Sequence, residues 1–312
     1  MKALLTGASS FSGLWFARAL AERGVEVIAP LRGGLNTYSG LRHARVRELA
    51  KFAEIASGVE FGSAEFFEVL DRAQCDIFCH HAARVADYRS PAFDVNLALA
   101  ENTRGLKALT ERLNAGACSA VILTGSVFES DEGAGTEPRR AFSPYGLSKA
   151  LTAAVVRYWC EIAGVPLGKF VIAHPFGPLE EPRFCAFLVK TWASGETPEV
   201  RTPLYVRDNI HISLLAKAYA DFAVEVAQSK KSARRAPTLY VESQGAFAER
   251  FAGEMGERVG APCPIKLGVQ TDFSEPMVRI NTDPVDATRL GWNEAASWDE
   301  IAAYYSEQLQ LR

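Results

Sequence analysis

The stretch KALLTGASSFSGLWFARALAERG, Lys2 to Gly24, decides the fold. It opens on an apolar run too short for a helix, breaks at Gly7, then repeats its apolar residues every three to four positions until Gly24. That is a strand, a tight turn and an amphipathic helix in succession. Gly7 and Gly13 stand six apart in the turn. Free backbone N–H groups and the positive end of the helix there suit the pyrophosphate of a dinucleotide. A plain turn between strand and helix accounts for either glycine alone and poorly for both. The middle glycine of a G-x-x-G-x-x-G spacing is Ser10, a small hydroxyl expected close to the phosphate, followed by Phe11.

The same alternation continues outward. VEVIAP, CDIFCHH, SAVILTG and KFVIAH are near-continuous apolar runs, as strands covered on both faces require. Helical patterns over 93–113 and 145–163 separate them. The class is therefore α/β, a doubly wound parallel sheet. The dinucleotide domain is placed at 1–175, with part of 205–245 returning to it, and 176–312 forms most of a smaller, interleaved substrate lobe. In that lobe DNIHISLLAKAYADFAVEVAQ reads as a strand or turn feeding a long helix. APTLYVES reads as a strand, and GAFAERFAGEMGERVG and SWDEIAAYYSEQLQ as helices.

Composition excludes several classes. A net charge of -3 and a sequence pI near 6.0 argue against a nucleic-acid or anionic-membrane partner. The one basic cluster, KKSARR at 230–235, reads as a solvated loop after a helix. The six cysteines form no CxxC pair, and the five histidines show no ligand spacing with them, so no metal is expected. No apolar run is long enough to span a membrane and no signal peptide precedes the first strand, so the expected location is the cytoplasm.

Where the second strand ends, a carboxylate would grip the adenosine ribose. VIAPLRGG offers none and offers Arg32 instead, a cation suited to a 2′-phosphate. NADP(H) is the expected cofactor, with NAD(H) as the alternative. Further along, SPYGLSKA places Tyr145 and Lys149 four apart on one helical face. Such a pair is either an ordinary surface contact or an ammonium that lowers the pKa of a phenol from ~10 toward neutrality.

With these residues assembled, the chain resembles the extended short-chain dehydrogenase/reductase family, in its branch of nucleotide-sugar epimerases, dehydratases and reductases. The resemblance covers TGASSFSG, HHAA (80–83), DVNLALAENT (94–103), VILTGSVFE, YGLSK, PFGP, VRDNIH (206–211) and RLGW (289–292), nearly the whole chain in order. It implies a Rossmann-type fold. It also implies a catalytic hydroxyl four positions before an aromatic, which in TGSVF is Thr124, with Ser126 second. Tyr145 would exchange the proton and Lys149 would hold the nicotinamide ribose. Small Ala82 and Ala83, after His81, would let the dinucleotide approach the backbone, and Asn96 would steady the site from a neighbouring helix. His174 stands where the family carries an asparagine that meets substrate. Arg207 and Arg279 match arginines that grip the substrate diphosphate bidentately, while Asp208 reads as structural. Dehydratases place an Asp-Glu pair after the threonine, and this chain has Gly125 and Ser126. The implied reaction is reduction of a 4-keto nucleotide sugar, with C4 epimerisation as the alternative and a non-catalytic NADP sensor third. Pairing through two helices into a homodimer is a further implication.

Overall fold

The computed structural model describes residues 1–135 and 139–309. In chain order its first half runs β1 (Lys2–Leu5), α1 (Phe11–Glu22), β2 (Glu26–Leu31), α2 (Gly40–Leu49), β3 (Ala53–Ser57), α3 (Ala64–Ala73) and β4 (Ile77–His80). It continues through α4 (Val95–Asn102), α5 (Leu106–Ala115), β5 (Ala120–Ser126), α6 (Pro144–Ala163) and β6 (Leu167–Ile172). The second half holds β7 (His174–Phe176), α7 (Phe184–Ala193), β8 (Glu199–Val200), β9 (Val206–His211), α8 (Ile212–Ser229), β10 (Ala233–Arg235) and β11 (Pro237–Thr238). It ends with β12 (Tyr240–Ser243), α9 (Gln244–Val259), β13 (Lys266–Leu267), β14 (Val278–Arg279), β15 (Asp283–Pro284) and α10 (Glu294–Leu309).

These elements form two compact units. The first comprises residues 1–132, 139–172 and 216–236; the second comprises 133–138, 173–215 and 237–312. In the first unit seven parallel strands lie in the order β10-β6-β5-β4-β1-β2-β3. The order reverses between β1 and β4, and in such sheets the crevice beyond that switch point is where ligands bind. All seven residues of β5 are buried, as a central strand covered on both faces must be. One face packs Phe78, Leu113, Val121 and Val156 with their neighbours. On the other, Phe16 stacks on Tyr219 at 4.0 Å, and Phe170 meets both edge-on.

In the second unit β9 is central. It pairs with β12 along one edge and with β7 and β14 along the other. Its core gathers Phe176, Leu188, Phe247, Phe251, Trp298 and Tyr305. No described helix is long and apolar enough to cross a membrane.

Two readings of the sequence change. The helical pattern of 93–113 is two helices, because Gly105 adopts φ 67° between them and a side chain there would press on Phe67. The KKSARR segment is not a plain solvated loop. Ala233–Arg235 adds an edge strand to β6, Arg234 pairs with Glu132, and Arg235 pairs with Asp221 and Glu225.

Candidate active site

The turn after β1 is built by contacts that admit glycine alone. A Cβ on Gly7, whose φ is 74°, would lie 2.9 Å from the Ala82 backbone; one on Gly13 would lie 2.2 Å from the Gly7 carbonyl. The turn therefore sits backbone to backbone against the segment leaving β4, at the switch point. Ser10 is the N-cap of α1: its hydroxyl accepts from Gly13 N at 3.1 Å. The same hydroxyl lies 3.1 Å from His81 Nε2, so Ser10 is turned into the protein, which explains how the turn tolerates a serine in place of the middle glycine. Phe11 is buried as the first residue of α1.

His81 ties three elements together. Its Nε2 also reaches Ser12 Oγ at 3.1 Å, and its Nδ1 lies 2.9 Å from Thr124 Oγ1. Burial, with Lys149 and His80 adding to it, pulls the His81 pKa down to about 3, so the ring is neutral. Sequence reasoning placed His81 and Ala82 at the cofactor but missed this link between the turn and β5. The available signal was Ser10, a hydroxyl standing where the spacing expects glycine.

The start of α6 is equally determined. Ser143 caps it by accepting from Gly146 N, and Pro144 follows inside the first turn. A Cβ on Gly146 would lie 2.1 Å from the Phe128 carbonyl, so this glycine lets α6 rest directly on the turn after β5. Tyr145, just before it, sets its ring edge-on to Tyr88 and Phe93. One turn later Lys149 is 5% exposed and its Nζ donates to the Thr124 carbonyl at 2.6 Å. The surface-pair reading of Tyr145 and Lys149 is thereby excluded. Burial pulls the Lys149 pKa down, while Glu129 opposes the shift.

The structure brings Thr124, Ser126 and Lys149 together at the carboxyl end of β5. Thr124 is 2% exposed with its hydroxyl on His81; Ser126 accepts from Phe128 N at 3.2 Å. Asn96 is exposed on α4. Asn102, at the end of that helix, is buried, accepting from Arg84 N at 2.9 Å and donating to Thr152 of α6 at 3.3 Å. The two asparagines lie on one short helix, and only packing distinguishes them. Arg32 is exposed immediately after β2, and α2 supplies a second exposed cation, Arg42.

In the second unit the three remaining candidates are adjacent. Arg279 is the register partner of Arg207 across parallel strands, and His174 is the partner of Asn209 two residues further along β9. Residues two apart on a strand share a face, so His174, Arg207 and Arg279 leave the sheet together. Arg207 is 7% exposed. It donates to the Val206 and Pro276 carbonyls at 2.9 Å and to Glu275 at 2.8 Å, with its guanidinium 4.6 Å over the Tyr205 ring. Burial, with Arg207 adding to it, lowers the His174 pKa to about 4. Asp208 is fully buried and accepts from Leu239 N and Asn281 N.

The sequence profile described as the NAD dependent epimerase/dehydratase family matches residues 3–234. Among curated proteins nothing matches. Solved structures match over the full chain. UDP-glucose 4-epimerase from Stenotrophomonas maltophila, with bound NAD and formylated UDP-arabinopyranose, superimposes with a TM-score of 0.76 at 16% identity, covering 100% of both chains. UDP-glucose 4-epimerase from Thermus thermophilus, with NAD, gives 0.71 at 17% identity, covering 98% of this chain and 99% of its own. DesIV, a dTDP-glucose 4,6-dehydratase from Streptomyces venezuelae with NAD bound, gives 0.71 at 18%, covering 98% and 97%.

Proposed function

Because the chain belongs to the NAD dependent epimerase/dehydratase family, of the extended short-chain dehydrogenase/reductase kind, we propose that it is a cytoplasmic oxidoreductase reducing a 4-keto nucleotide sugar with NADPH. The observation that carries this reading is Lys149, buried and anchored on the Thr124 carbonyl one helical turn from Tyr145. The dinucleotide is assigned to the turn of Gly7 and Gly13 and the facing Ala82 and Ala83; a side chain on Gly7 would collide with the Ala82 backbone and one on Gly13 with the Gly7 carbonyl, so the turn keeps its bare backbone. When bound, it supplies the hydride.

The protein's own residues manage the charge that hydride transfer creates. Tyr145 gives its proton to the oxygen that develops at C4, and the Thr124 or Ser126 hydroxyl holds that oxygen. The Lys149 ammonium holds the ribose and lends positive charge to the same corner. Arg207 and Arg279 take the substrate diphosphate, with His174 beside them. Arg32 and Arg42 favour a 2′-phosphate at the adenosine end.

Epimerisation at C4 with NAD retained uses the same residues, and the NAD-bound epimerases among similar structures favour it as the second reading. Dehydration is disfavoured, since Gly125 and Ser126 stand where dehydratases carry an Asp-Glu pair. A non-catalytic sensor would have no use for the Tyr145–Lys149 pair. A homodimer through α6 is supported by Leu147, Leu151, Tyr158 and Ile162, which form an exposed apolar stripe along it. Thermal-shift titration with UDP, GDP, CDP and dTDP tests the substrate class: one should raise the melting temperature. No response to any of them would defeat the nucleotide-sugar reading.

A further inference from the structure

A chain of buried charge begins beside Lys149 and plays no part in the reaction as described. β4 ends at His80, level with Leu123 of β5. Odd-numbered residues of β5 turn their backbone toward β6, as the bonds from Val121 N to Pro166 O and from Val127 N to Ile172 O show. The Thr124 carbonyl and the Ser126 N–H therefore point to the other edge, beyond the last residue of β4. Buried backbone groups need partners. Lys149 Nζ takes the carbonyl at 2.6 Å, and Glu129 Oε1 takes the N–H at 2.7 Å.

Glu129 is fully buried. Its Oε2 receives Lys169 Nζ at 2.6 Å, and that ammonium also reaches Glu132 Oε1 at 2.7 Å. Glu132 Oε2 in turn accepts from Arg234 at 2.6 and 2.9 Å. Lys169, Glu132 and Arg234 line a cavity of about 620 Å³ between α6 and β6, and the Arg234 side chain is 40% exposed. Gly125 leaves the room that Glu129 and Lys169 occupy. Burying such a network is a poor route to stability, because desolvation offsets most of the attraction. What it does provide is a fixed carboxylate next to the Thr124–Ser126 segment.

We propose that Glu129 is a positioning residue for the Tyr145–Lys149 site: clamped by Lys169, it fixes the Thr124–Ser126 segment and supplies the counter-charge to the Lys149 ammonium. The proposal rests on the reading of Lys149 as the ribose-holding lysine. Among the described residues, the charged and titratable groups that act on Lys149 are Glu129 after β5, Lys169 on β6, and His80 and His81 at the end of β4, with Tyr145 one turn earlier on its own helix. Burial brings the two histidines to about 4 and about 3, so they are neutral, and Glu129 is the anion of the set. Its pull on Lys149 exceeds the opposing push of Lys169.

The test needs no sugar substrate. Glu129→Gln keeps an acceptor for Ser126 N–H and removes the charge. The dissociation constant for NADPH, followed by fluorescence from about pH 6 to about pH 10, should rise on the alkaline side as Lys149 loses its proton. In Glu129→Gln that rise should begin about one pH unit lower, since an ammonium without its anion deprotonates sooner. The double variant Glu129→Gln/Lys169→Met leaves no unpaired charge between the two positions and should shift the same way by less. Superimposable curves for wild type and a folded variant would overturn the proposal alone, as would failure of both variants to fold, which assigns Glu129 to the fold. A wild-type curve with no alkaline loss would overturn the reading of Lys149 and this proposal with it.

Discussion

The two units hold their buried charge differently. In the unit of Tyr145, Glu129 and Glu132 are closed by Lys169 and Arg234, and Lys149 by a backbone carbonyl. In the unit of Arg207, Glu180 meets the Tyr305 hydroxyl at 3.0 Å and Asp208 meets backbone amides. Burial raises Glu180 to about 7 and Asp208 to about 6. Arg207 itself is shared between carbonyls and Glu275, whose side chain is 47% exposed. A proton-transferring corner gains from being set before substrate arrives. A binding face can hold its cations on local substitutes that a ligand's own oxygens replace.

The largest expected effect comes from breaking the preset corner. Tyr145→Phe should lower turnover by roughly 10²–10⁴-fold and leave NADPH affinity within a few-fold, as steady-state kinetics and fluorescence titration would show. Turnover near wild type would remove the phenol from the mechanism.

Next comes pH. An acid whose pKa is higher in the folded state stabilises the fold while protonated, so that stability is full below its unfolded value and lost as pH rises through its folded value. For Glu180 the window runs from 4.5 to about 7, a shift of order 3 kcal/mol. Glu180→Gln should flatten the fall in melting temperature between those values. An unchanged fall would mean that Glu180 ionises as readily in the folded chain as in the unfolded one.

On the proposed binding face, Arg207→Ala should weaken the response to the preferred nucleoside diphosphate by roughly tenfold or more, a charge-assisted bond contributing about 1.5–3 kcal/mol. Arg32 is an exposed cation of the first unit, and Arg32→Asp should shift preference toward NADH by a similar factor. The smallest effect sharpens the comparison most. Glu275→Gln weakens the substitute that holds Arg207, so diphosphate affinity should rise by a few-fold. A fall would show that Glu275 orients the arginine for the ligand.

The legibility of the sequence follows the same physics. Central strands such as β5, buried on both faces, announce themselves as apolar runs. The two strands that the pattern conceals, β3 and β10, are the edges of the sheet, where AEIAS and ARR stay half exposed and carry charge. Local spacing located the glycine turn, Tyr145 and Lys149, and the resemblance supplied Arg207 and Arg279. Contacts between distant segments were invisible: His81 on Thr124, Asn102 on Thr152, and Glu129 with Lys169 span 43, 50 and 40 positions.

The central claim, that Tyr145 and Lys149 serve reduction of a nucleotide-linked 4-keto sugar, is tested most directly by NADPH oxidation against a panel of such sugars. Wild type should consume NADPH with one of them, and Tyr145→Phe should not. The contradicting result is C4 epimer formed from a 4-hydroxy nucleotide sugar without added dinucleotide, with no NADPH consumed on any keto sugar; that outcome assigns the site to epimerisation.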